Sequence, residues 1–226
     1  MYRSALRMRW PDMQQALITR ILIVLSFPFL AHPVLAQVAF SVGLNKAPRI
    51  ELKEGDILFQ RSNSTQSQAI EMATGSEWTH CGIVFMDENG PYVIEAVQPV
   101  KRTELKAWIS RGNGVYEVKR LKDESRLTPE VLRKMEQVAE SHLGKDYDPY
   151  FLWDDQRIYC SELVWKVYQQ GAGIEVGTQE RFGYMDLTAP LVQRILKERF
   201  GNAYPVDEPV VSPATIHRSV LLRKVK

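Results

Sequence analysis

The sequence predicts an α+β domain behind a targeting segment. Strand-rich and helix-rich stretches are partly segregated along the chain, two β-type runs flank the turn-forming DENG at 87–90, and an amphipathic helical pattern opens at Thr128-Pro129. Segregation of this kind favours an antiparallel sheet with packed helices over a doubly wound parallel sheet.

The elements follow in order. Residues 1–20 hold Arg3, Arg7, Arg9 and Arg20, residues 21–31 read ILIVLSFPFLA, and Val34 and Ala36 stand at the minus-three and minus-one positions of a cleavage site. A secretory signal peptide over 1–36, cleaved near Ala36, is expected. The apolar run is about ten residues, short of the roughly 20 needed to span a membrane, and Pro28 and Pro33 interrupt it. Residues 37–226 are then expected to form one domain, exported and periplasmic, in an oxidising compartment.

Within that domain, 55–60 (GDILFQ) reads as a buried strand, and Ser64 or Thr65 caps a helix ending at Gly75. Residues 80–86 and 91–97 read as a hairpin around DENG. Thr103 is expected to cap a small helix to about Ser110, GNG at 112–114 to turn the chain, and 115–121 to form a strand. Thr128 caps the clearest helix, with Val131, Leu132, Met135, Val138 and Ala139 on one face and Gly144 as its stop. Residues 160–170 form a second helix stopped by Gly171, 190–200 a third, and 210–225 is expected to add strand pairing.

Composition excludes several functions. The chain has 29 Lys and Arg against 27 Asp and Glu, and the leader's four arginines face Asp12 alone, so the remaining body is close to neutral and carries no electrostatic footprint for nucleic acid. Two cysteines, Cys81 and Cys160, make neither a disulfide framework nor a four-thiolate zinc site. His32, His80, His142 and His217 lack metal-site spacing, Asp146, Asp148, Asp154 and Asp155 lack calcium-loop spacing, and no metal or cofactor is expected.

Cys160 opens a predicted helix, where free backbone N–H groups and the positive dipole end stabilise a thiolate. It also shares a face with Leu163, Val164 and Val167, so a small core residue is the competing reading. His80 starts a strand, as a structural residue or as a base aimed from a rigid sheet. If DENG is a four-residue loop, Met86 pairs with Pro91 and Gly82 with Glu95. His80 and Glu95 are then diagonal neighbours on one face, with Gly82 leaving space between them. If Asn89 and Gly90 centre the turn instead, Glu95 slips one pair further away. Either register points Cys81 away from His80, making it a packing residue and disfavouring a Cys81–Cys160 disulfide.

The strings GDILFQ, WTHCGIV, VIEAV, GKDYDPYFLW and YCSELVWKVYQ together resemble the bacterial YiiX and YaeF group of permuted papain-like enzymes, circularly permuted relatives of the NlpC-type peptidases. The resemblance runs from about Lys53 to Pro213. It implies a permuted papain-like fold, with histidine and glutamate on adjacent strands of a small antiparallel barrel-like sheet and cysteine opening a helix packed against it. It implies Cys160 as nucleophile, His80 as base and later acid, and Glu95 as orienter. For the oxyanion, the Cys160 N–H and Tyr159 are the candidates, Tyr159 serving equally well as core. Trp78, Trp153, Asp154 and Asp155 are candidates for the substrate groove, the acidic pair alternatively being solvated loop carboxylates. Asp56 is either a turn residue or part of the site. The activity implied is amide hydrolysis of a peptide or peptidoglycan-derived substrate through a thioester. Lipid acyl chemistry on the same fold and a non-catalytic cell-wall peptide-binding module are the alternatives.

Overall fold

Two short apolar runs set the centre of the architecture. Ile57–Gln60 (β1) and His80–Asp87 (β2) are buried on both faces: Ile57, Phe59, Cys81, Ile83 and Phe85 enter one layer, and Leu58 and Val84 the other. The computed structural model describes residues 51–225, so the segment read as a signal peptide lies outside the described residues. Strands Gly90–Glu95 (β3), Lys101–Glu104 (β4), Tyr116–Leu121 (β5) and Leu222–Lys224 complete an antiparallel sheet of six. Glu180–Arg181 (β6) and Pro209–Val210 (β7) pair separately, which makes the last strand β8 and the order of the large sheet β4-β3-β2-β1-β5-β8.

This mixed arrangement of an antiparallel sheet and packed helices is the expected α+β class. The described sheet is open, not closed as a barrel: its edges are β4 and β8, of four and three residues. Such short edges offer little backbone for further pairing.

Helices cover both faces. Pro129–Ser141 (α3) and Cys160–Ala172 (α4) lie over the layer of Phe59, Cys81 and Ile83, while Leu105–Arg111 (α2) places Trp108 against Leu58, Val84 and Val93. Thr65–Thr74 (α1) and Pro190–Phe200 (α5) pack on each other beside the start of α4, around Ala69, Leu187, Val192 and Leu196. Ser64 caps α1 and Thr128 caps α3 through their side chains, as the helix-start signals require.

Four local expectations are revised. Asp87 pairs with Gly90, so the hairpin turn holds only Glu88 and Asn89, although the Met86–Pro91 pairing of the four-residue reading stands. Thr103 lies in β4 and does not cap α2, because its hydroxyl is bonded to Glu95. Gly171 does not stop α4, which runs to Ala172 with Gly173 in the left-handed region at φ 65. A Cβ at Gly171 would lie 2.6 Å from Met135 Cα, so this glycine permits the close approach of α3 and α4. In the last stretch, a short helix Pro213–His217 (α6) intervenes before β8.

Asp56 resolves as a structural residue. Its carboxylate is fully buried and takes Arg120 Nε and Nη2 at 2.6 and 2.7 Å, clamping the start of β1 to β5. The Lys53 N–H adds a third bond at 2.8 Å. Removing one partner of a buried bidentate pair leaves an uncompensated charge, so Asp56→Ala is expected to destabilise the domain by about 3–5 kcal/mol. Urea unfolding checks this, and a change under 1 kcal/mol would deny the clamp its role.

Candidate active site

Cys160 is the first residue of α4, with Tyr159 as the helix N-cap. Its N–H is one of the amides that a helix start leaves without an internal partner, and the dipole end falls on its sulfur. The side chain is almost wholly buried, at 3% exposure. What fixes the start of α4 here is a local ion pair: Glu162 accepts from the Tyr159 N–H at 3.2 Å and meets Lys166 Nζ at 2.7 Å, while Lys166 also donates to Asp154 O at 2.9 Å.

The start of β2 is brought against this helix end. His80 hydrogen-bonds Cys160 on one side and, through Nε2 at 2.7 Å, Glu95 Oε2 on the other, which leaves Nδ1 for the sulfur. Trp108 stacks on the imidazole at 6.1 Å between ring centroids. Glu95, fully buried at the end of β3, also accepts from Thr103 Oγ1 at 2.6 Å and from Arg111. Gly82 is the spacer in this arrangement: a Cβ there would come within 2.5 Å of Val93 Cγ1 and 3.3 Å of Glu95 Cβ.

Electrostatics follow from these contacts. Burial alone would lower His80, but the hydrogen bonds and charges of Cys160 and Glu95 outweigh it and raise the imidazole to about 9. Burial would raise Glu95, and its bonds to His80 and Thr103 with the Arg111 charge bring it down to about 2. Cys160 is held well below an ordinary thiol, chiefly by the Cys81 side chain donating to its sulfur, against burial, and then by His80 and the Cys81 backbone N–H. The geometry therefore favours a thiolate–imidazolium pair backed by a carboxylate.

Comparison with known proteins places the chain in a family. The family model described as permuted papain-like amidase enzyme, YaeF/YiiX, C92 family matches residues 51–226. The chain belongs to the YaeF/YiiX permuted papain-like amidase family. It is 48% identical over 163 residues to the uncharacterized protein YiiX of Escherichia coli K12, covering 72% of this chain and 80% of that protein. The crystal structure of the metalloprotein YiiX from Escherichia coli O157:H7 superposes with a TM-score of 0.73 at 47% identity, covering 77% of this chain and 96% of that one.

Within this family member, the other residues singled out from sequence have structural partners. Tyr159 is buried and its hydroxyl accepts from the Val211 N–H at 3.2 Å, with its ring edge-on to Phe151. Trp78 packs on His217, and Trp153 packs edge-on to Trp165 beneath Lys166. Asp154 takes the Gln156 and Arg157 N–H groups, and Asp155 pairs with Lys166 at 2.9 Å. Neither tryptophan and neither aspartate lines the two cavities that reach Cys160 and His80. Lys166 pairs with the Asp155 carboxylate and donates to the Asp154 backbone carbonyl, while the Asp154 carboxylate is taken by its own loop's N–H groups. Both cysteines are free, as expected.

Four contributors escaped the sequence reading. Cys81 is a core residue on the face opposite His80, as alternation requires, yet that face is where α4 begins, so its thiol meets Cys160. Thr103 and Arg111 hold Glu95 from β4 and α2, and only the fold brings them together. Tyr147 stands near Cys160, whose charge helps burial raise its phenol well above normal. Its hydroxyl accepts from Gln66 Nε2 at 2.8 Å, which leaves its own proton to donate.

Alkylation by iodoacetamide reads the thiolate directly. Labelling of Cys160 is expected to persist well below pH 8.5 in the wild type and to fall with the ordinary thiol curve in His80→Ala. Cys81→Val is expected to move the wild-type curve upward by removing the sulfur's donor. Identical curves in all three proteins, mapped to Cys160 by mass spectrometry, would refute the ion-pair assignment.

Proposed function

We propose that this chain is an exported cysteine amide hydrolase acting on a peptide or cell-wall-derived amide. The reading is supported above all by the continuous chain of contacts from Cys160 through His80 to Glu95. The leader-like sequence of 1–36 supports export.

In the first half-reaction, the Cys160 thiolate adds to the amide carbonyl carbon, forming a C–S bond as the carbonyl pair moves to oxygen. The Cys160 N–H and the Tyr147 hydroxyl are the donors assigned to that oxyanion. Collapse breaks the C–N bond, and the nitrogen leaves with the proton of the His80 imidazolium, giving an amine and a thioester. Neutral His80 then takes a proton from water as the hydroxide adds to the thioester. Breaking the C–S bond releases the acid and restores thiolate and imidazolium. Glu95 keeps the ring oriented and favours its charged form throughout.

The related YiiX crystal structure is of a protein called a metalloprotein. Among the described residues of this chain, no three His, Cys, Asp or Glu side chains converge as a metal-binding set, and no step is routed through a metal.

Hydrolysis of a panel of peptide and aminoacyl amides tests the reading, with Cys160→Ala abolishing turnover. Glu95→Gln is expected to lower kcat by about 10²–10⁴-fold. The sign of the pH effect follows from His80: the imidazolium is the acid for the leaving group, so activity falls as pH rises through about 9. Loss of the Glu95 charge moves this alkaline limb to lower pH. Equal profiles for wild type and Glu95→Gln would remove Glu95 from the mechanism.

A further inference from the structure

The cleft around the proposed nucleophile has two chemically different halves. One is a small cavity of about 70 Å³ between α1, α5 and the start of α4, lined by Ala69, Ile70, Leu187, Val192 and Leu196 and reaching Cys160. The other is an open groove of mixed lining, in which Ser64, Thr79, Gln98 and His80 stand beside Ala96 and Val97. Gln66 and Ile70 line both, so the halves are contiguous.

The halves are assigned by the chemistry of the two residues. In the thioester the acyl carbon is bonded to Cys160 sulfur, so the acyl substituent must leave the reacting centre on the Cys160 side. The departing nitrogen must lie where His80 can protonate it. Cys160 lines the apolar cavity and not the groove, and His80 lines the groove and not the cavity.

We infer that the apolar cavity is the acyl subsite and that the preferred substrate carries a short apolar acyl chain of about three or four carbons beyond the carbonyl, its more polar amine side lying in the mixed groove beside Ser64, Thr79 and Gln98. This rests on the amide hydrolase reading and adds the substrate class. The size follows from volume: a cavity of about 150 Å³ accepts the six carbons of benzene, so roughly half that volume holds about half as many atoms. A long lipid chain exceeds it. Few polar groups reach the cavity: of those on its lining, Ser161 donates to Val211 O at 2.7 Å, Ser212 caps α6, and Arg199 Nη2 donates to Gln66 Oε1 at 2.7 Å. An apolar occupant therefore displaces no unsatisfied group.

The test uses the purified protein with acyl amides of 7-amino-4-methylcoumarin, from acetyl through propionyl, butyryl and pentanoyl to octanoyl. Because each buried methylene contributes about 0.8 kcal/mol, kcat/KM is expected to rise about fourfold per carbon to butyryl or pentanoyl and then to stop rising or fall. Ala73→Leu, which adds bulk at the cavity wall, is expected to erase most of that rise, and Leu196→Ala to shift the optimum to a longer chain. A parallel series of straight-chain aldehydes, read as protection of Cys160 from iodoacetamide, measures the same subsite without turnover.

Turnover or protection that ignores chain length, or an optimum at acetyl or octanoyl, overturns the acyl-subsite assignment. Chain-length-dependent protection without hydrolysis of any amide supports the subsite and refutes the hydrolase reading. Hydrolysis without chain-length dependence does the reverse. If Leu196→Ala fails to fold, Ala73→Leu and the aldehyde series still decide.

Discussion

The buried sulfur of Cys160 needs its charge matched, and most of the surrounding structure serves that match. A thiolate removed from water loses solvation that only directed donors can replace. Here the donors come from one place, the first two residues of β2: the His80 ring reaches it from one face of the strand, the Cys81 thiol from the other, and the Cys81 N–H in the plane between them. That is possible only where a strand begins, because residues on opposite faces of a strand cannot otherwise meet one atom. The end of α4 must therefore abut the start of β2, and the close packing of α3 on α4 at Gly171 and Met135 holds the helix at that height.

A second constraint follows from the first. An imidazolium beside a buried thiolate still leaves one ring nitrogen to satisfy, and Glu95 meets it at 2.7 Å. The carboxylate brings a fresh negative charge into a fully buried position. Arg111 from α2 compensates its charge and Thr103 from β4 adds a hydrogen bond, so two further elements serve the buried carboxylate. Gly82 is the sterically necessary partner of this chain, since any side chain there would displace Val93 and press on Glu95.

How far the sequence foretold this depends on the range of the interactions involved. Capped helices were legible because their signals are local: Thr128-Pro129 at one start and Ser64 at another act within one turn. The approach of His80 to Glu95 was legible because hairpin register links residues fifteen apart through a short turn. Gly171 was misread as a helix stop because its reason is Met135, on another helix. Cys81 was read correctly as core by alternation, but alternation describes faces along a strand and says nothing of a helix end docked at the strand's mouth. Asp154 and Asp155 were offered to a substrate groove because they lie close to Cys160 in sequence, and nothing local foretells that Lys166 of α4 takes the Asp155 carboxylate and the Asp154 backbone carbonyl.

The same placement gives the cleft its asymmetry. Cys160 emerges where α1, α5 and α4 pack their apolar faces together, whereas His80 emerges at the rim of the sheet, where Ser62, Ser64 and Thr79 lead into α1 or β2. With Cys160 as nucleophile and His80 as acid, as proposed, this asymmetry needs no moving part to discriminate the two sides of a scissile bond. Reversing a substrate would put polar amine groups against Val192 and Leu196, where nothing replaces their lost hydration. On the proposed hydrolase reading, the direction of cleavage is set by the same junction of helix start and strand start that favours the thiolate.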